Sequence, residues 1–82
     1  MNRREATGVF REIAGNCSYL FNPDFISITD SSNAIRMEST GYEIYIKCPV
    51  NGELTQCLLP ILEKHQLKLA ELGNAIVIYK PK

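Results

Sequence analysis

Tyr42-Glu43-Ile44-Tyr45-Ile46-Lys47 alternates along the chain and is rich in β-branched and aromatic residues, so it reads as a strand with Tyr42, Ile44 and Ile46 on one face. Pro49 and Asn51-Gly52 then punctuate the chain. Beyond them Leu54, Cys57, Leu58, Ile61, Leu62 and His65 recur at i, i+3, i+4, i+7, i+8 and i+11, which predicts one amphipathic helix over residues 52–65. Pro60 lies inside that helix. It deletes a hydrogen bond and clashes with the preceding turn, at about 3 kcal/mol, so a kink near Gln56 or a break into two pieces is expected. Residues 67–72 and 75–80 are strand-like runs separated only by Gly73-Asn74, the composition of a tight antiparallel hairpin.

Working outward, Ala6, Val9, Phe10, Ile13, Ala14 and Cys17 repeat the helical stripe and predict a first helix over residues 4–16, stopped at Gly15-Asn16. Ser18-Tyr19-Leu20-Phe21 reads as a strand, ended by the turn signal Asn22-Pro23-Asp24. Strands are also expected over residues 25–29 and 34–38, with the polar run Asp30-Ser31-Ser32-Asn33 as a loop and Ser39-Thr40-Gly41 turning into Tyr42. The two stripes correspond at a constant offset, 54 − 6 = 48, and Tyr19 and Phe21 match Leu67 and Leu69 at the same offset. That pattern points to a duplicated α-β unit.

Composition narrows the function classes. Eighty-two residues make one domain over 1–82, which buries only about 60% of its unfolded surface. Hydrophobic residues at 45% place it among folded globular chains. Nine basic residues cancel nine acidic ones, so no global field draws the chain to nucleic acid or to an anionic membrane. No apolar run approaches the roughly 18 residues of a transmembrane helix, and the first residues lack a continuous apolar signal region. A soluble segment without direct membrane insertion is expected; a mature or excised domain would look the same.

Catalytic and metal signals are sparse. Cys17, Cys48 and Cys57 follow no C-x-x-C spacing, and with His65 they make a poor zinc set. Cys17, Cys57 and His65 fall on apolar stripes, where cysteine behaves as a small hydrophobe; oxidation to one disulfide stays open. His65 is the one histidine and would need a nucleophile and an orienting partner; as a helix-end residue it is expected to face the last carbonyls. There is neither G-x-G-x-x-G nor a P-loop. Arg3, Arg4 and Arg11 cluster, and the ordinary meaning of such a cluster is a solvated helix face. No catalytic residue, metal or cofactor is assigned.

Val9-Phe10-Arg11-Glu12-Ile13-Ala14 with Tyr19-Leu20-Phe21-Asn22-Pro23-Asp24-Phe25-Ile26, and later Gly52-Glu53-Leu54, Leu58, Leu62, Leu67 and Gly73-Asn74-Ala75-Ile76-Val77-Ile78, resemble the secretin and TonB short N-terminal domain family over about residues 9–79. The resemblance implies an α+β fold of two β-α-β type motifs, with two helices packed between small β-sheets. That family usually places a strand before the first helix, and the polar residues 1–5 are too short to supply it. The resemblance also implies a non-enzymatic signalling domain acting by protein-protein interaction. Its place is the periplasm, at the N-terminus of a TonB-dependent outer-membrane receptor, a secretin or a related transport or anti-sigma regulatory protein.

The hairpin carries the residue-level expectation. With a two-residue loop, Leu72 pairs with Ala75, Ala70 with Val77 and Lys68 with Tyr79, while Leu67, Leu69, Ile76 and Ile78 take the core face. Leu72, Val77 and Tyr79, joined by Tyr45, are therefore the expected contact surface for a protein partner or a second copy; the competing reading is that a second layer of the fold covers them. Two other classes compete. A duplicated β-α-β unit fits a small RNA-binding module, but the G-x-x-G loop and the basic surface are absent, so no nucleic-acid partner is assigned. A small metal or redox protein is the other alternative.

Overall fold

The computed structural model describes residues 1–30 and 41–81. The expected strand over 34–38 and the turn over 39–40 lie outside these residues. In chain order the elements are α1 (Arg3–Asn16), two short 3₁₀ turns (Ser18–Leu20 and Pro23–Phe25), β1 (Ile26–Asp30), β2 (Tyr42–Ile46), α2 (Gly52–His65), β3 (Lys68–Leu72) and β4 (Ala75–Tyr79). The class is α+β, as expected.

Both helices begin on an asparagine. The side chain of Asn2 accepts from the Glu5 amide at 2.7 Å, and that of Asn51 from the Leu54 amide at 2.8 Å, each satisfying a donor that a helix start leaves unpaired. α1 ends at Asn16, where the Cys17 amide donates to the Ile13 carbonyl. α2 ends through Gln66 in the left-handed region, with the Leu67 amide donating to the Leu62 carbonyl at 2.8 Å, a closure that glycine more often makes. Pro60 does not divide α2, which runs unbroken from Gly52 to His65. Its ring is on the exposed side, so water can serve the carbonyl it deprives of a donor.

The strands form one antiparallel sheet in the order β1-β2-β4-β3. Ile44, Ile46, Ile76 and Ile78 share its inner face and are fully enclosed, together with Ala6, Val9 and Ile13 of α1 and Leu54, Leu58, Ile61 and Leu62 of α2. Both helices therefore cover the same face. This corrects the expectation of helices held between small sheets: among the described residues there is a single sheet, because the strands pair edge to edge into one ladder.

A second correction concerns residues 18–21. Ser18–Leu20 is a 3₁₀ turn and Tyr19 is 77% exposed, so the strand-like composition loses to a chain reversal; Phe21 turns back into the core, with Leu20 packed partly against it. The Asn22-Pro23-Asp24 signal does form its turn, with the Asn22 side chain accepting from the Asp24 amide. β1 runs through Asp30, which the sequence placed in a loop. The hairpin register agrees at every expected pair, and positive φ at Gly73 suits the first central position of a two-residue turn.

The offset of 48 relates the two helices but not the strands: Tyr19 lies in a 3₁₀ turn and Phe21 in no strand, so Phe21 does not hold the place that Leu69 has in β3. Each half is a helix followed by two antiparallel strands, and β2 meets β4 through Ile44↔Ile78, Tyr45↔Val77 and Ile46↔Ile76. A two-fold axis through the central pair exchanges Ile44 with Ile76 and Ile46 with Ile78. It also carries Ile26, opposite Ile46, onto Leu69, opposite Ile78.

Met1 makes two backbone contacts with Tyr42. Its carbonyl accepts from the Tyr42 amide at 2.6 Å and its amino group reaches the Tyr42 carbonyl at 3.4 Å.

Candidate functional site

Period-two alternation places Tyr45, Leu72, Val77 and Tyr79 on the outer face of the sheet, opposite the helices. The register brings Tyr45 beside Val77 and sets Ala70 on Val77's other side. Exposure separates the four. Val77 and Tyr79 are buried, at 1% and 5%, Tyr45 is half-buried, and Leu72 is exposed at 37%. Among the described residues the exposed strand positions of this face are Lys68 and Leu72 on β3 and Ser27 on β1.

Glu43 occupies the same outer face, between Thr29 of β1 and the end of β4. Only 2% of it is exposed, and its Oε2 has no hydrogen-bond partner among the described residues. A carboxylate held this way carries a desolvation cost without the compensating bonds. The sequence contained the sign, a charged residue at an alternate position of an otherwise apolar strand.

β3 is the last strand of the sheet and pairs, among the described residues, with β4 alone. In a hairpin with a two-residue loop, the residues flanking the loop exchange both backbone bonds, and every second pair thereafter does the same. Leu72, Ala70 and Lys68 thus direct their amides to β4, and Leu69 and Glu71 direct theirs outward. The outer edge offers a backbone ladder of two donors and their neighbouring acceptors. Lys68 and Glu71, both exposed, are the charged side chains that natural edge strands use against indiscriminate pairing.

The remaining chemistry-bearing groups are tied up in the helix layer. Cys17 and Cys57 form a disulfide with 6.1 Å between their Cα atoms, joining the end of α1 to the middle of α2, so they are neither ligands nor simple hydrophobes; Cys48 is free and half-buried. His65 Nε2 lies 2.9 Å from Glu12 Oε1, and Lys64 Nζ lies 3.2 Å from the same oxygen. His65 therefore faces a carboxylate of α1 rather than the last carbonyls of its own helix. The His65 hydrogen bond, aided by Lys64, holds the Glu12 carboxyl below its ordinary range. A Glu-His pair can orient an imidazole, but no serine or cysteine is hydrogen-bonded to His65 among the described residues. No group of three metal-ligating side chains occurs among them either, and none of the described helices is long and apolar enough to cross a membrane.

In comparisons with known proteins, no family model matches the chain, and no curated protein or solved structure does.

Proposed function

We propose that this chain is a non-catalytic interaction domain that receives a partner strand along the open edge of β3, acting as the periplasmic signalling segment of a TonB-dependent receptor or a related transport or regulatory protein. The observation that carries the reading is the outer edge of β3, unpaired among the described residues, beside exposed Leu72. Strand addition draws affinity from main-chain hydrogen bonds and specificity from alternate side chains. Leu72 supplies the apolar contact next to that edge; Tyr45 lies two strands away on β2 and does not border it. The Cys17–Cys57 bond supports an oxidising compartment such as the periplasm, where disulfides persist. The receptor assignment and the anti-sigma or other periplasmic signalling partner rest on the family resemblance.

The test is an NMR titration of the isotopically labelled chain with the extracytoplasmic region of a receptor-linked anti-sigma regulator. Shifts confined to β3 and its neighbours, and abolished by Glu71→Pro, support the reading. That substitution removes an outward amide and leaves the bonds to β4 in place, since proline is tolerated where the strand edge faces solvent. Shifts elsewhere, or unchanged binding by Glu71→Pro, contradict it.

A further inference from the structure

α1 carries a second surface, independent of β3. Arg4, Gly8, Arg11 and Gly15 fall at i, i+4, i+7 and i+11, all exposed, with Arg3 and Thr7 alongside. Arg3, Arg4, Thr7, Gly8 and Arg11 line an open cleft of about 600 Å³. The arginines form no ion pair with any described residue. Both acidic residues of the helix are already engaged: Glu5 with Lys80 at 3.2 Å, and Glu12 with Lys64 and His65.

Local physics gives no reason for these choices. Arg3 and Arg4 occupy the first turn, where the helix dipole disfavours cations, and no basic residue stands in the last turn before Cys17. Gly8 is in the helix interior, where glycine is a poor former, and a Cβ there would meet nothing within 4 Å. Close packing inside the molecule therefore does not require it. Residues that act against local stability, with no return among the described residues, mark surfaces shaped by something else.

We infer that the Arg4-Gly8-Arg11 stripe is a docking groove for an acidic helix of a partner protein. Glycine lets a second backbone approach closely, and Arg4 and Arg11, whose Cα positions lie about 10 Å apart along the axis on either side of Gly8, can each offer a guanidinium to a carboxylate in a two-pronged pair. The stripe has no aromatic residue on which a base could stack and no apolar residue to enter a bilayer. An acidic polypeptide fits this surface better than RNA or a lipid headgroup.

The test uses the full chain and a synthetic alanine-rich helical peptide with glutamate every third or fourth residue. Saturable NMR shifts over residues 3–15 are expected, lost in the Arg4→Glu/Arg11→Glu variant. Gly8→Leu should weaken binding about tenfold or more while raising Tm, because leucine is the better helix former. That opposite movement distinguishes a blocked groove from a damaged fold. Equal affinity in Gly8→Leu, absence of saturable shifts, or tighter binding of single-stranded RNA or of phosphatidylglycerol vesicles overturns the inference.

Discussion

Tyr45 of β2 stands opposite Val77 of β4, and the two helix-hairpin halves of the chain are related about that pair. On the face beneath it, four isoleucines from the same two strands meet both helices. Each half places its second strand at the centre of the sheet, and the outer strands β1 and β3 become the edges. An edge is therefore a consequence of the symmetry, and β3 is the edge whose hairpin loop contains only two residues.

The Cys17–Cys57 bond closes a loop over a sequence separation of 40 residues. Its removal should cost about 2–4 kcal/mol, chiefly by releasing the unfolded chain. Denaturant unfolding of the Cys17→Ala/Cys57→Ala variant measures this. Cys48→Ala, which leaves the bond intact, should change stability far less.

Gly41 has positive φ, and a side chain there would run into the Met1 carbonyl that pairs with Tyr42. Gly41→Ala combines backbone strain with displacement of Met1 from the end of β2. A loss of about 1–3 kcal/mol is expected, read from chemical denaturation.

Acid should act on the Glu12 cluster. The folded-state pKa of Glu12 is lowered by its hydrogen bond to His65 and by Lys64. Its contribution is thus present above the unfolded-state pKa and is lost as pH falls through the folded one. Glu12→Gln should destabilise at neutral pH by no more than about 1 kcal/mol, since the group is partly exposed. Stability curves of the variant and the parent should converge in acid.

Replacing Glu43 should raise stability. Its buried Oε2 lacks a partner among the described residues, so replacing the carboxylate with an apolar side chain removes a desolvation cost of about 1–3 kcal/mol. Glu43→Leu is expected to raise Tm, measured by calorimetry at neutral pH. A fall in Tm would show that the carboxylate is compensated.

Legibility followed periodicity. Both helices, the Asn22-Pro23-Asp24 turn and the β3–β4 register were readable because each rests on spacing within a few residues. Ser18–Leu20 was not, since a short apolar run does not distinguish a strand from a tight reversal. The expectation of more than one sheet failed for a related reason: the β2–β4 ladder joins residues 44 and 78, a pairing that no local pattern encodes. On the outer face, alternation placed Tyr45, Leu72, Val77 and Tyr79 together but could not show that Val77 and Tyr79 are buried while Leu72 is exposed. The Glu12–His65 and Cys17–Cys57 links likewise depend on how the helices pack.

Residue-resolved amide hydrogen exchange at Leu69 and Glu71 tests the interaction reading most directly. In the free chain these two amides should exchange rapidly while those of Ala70 and Leu72, bonded to β4, are protected. Addition of the regulator's extracytoplasmic region should protect Leu69 and Glu71 as well. Fast exchange that persists at both in the saturated complex would contradict strand addition at β3.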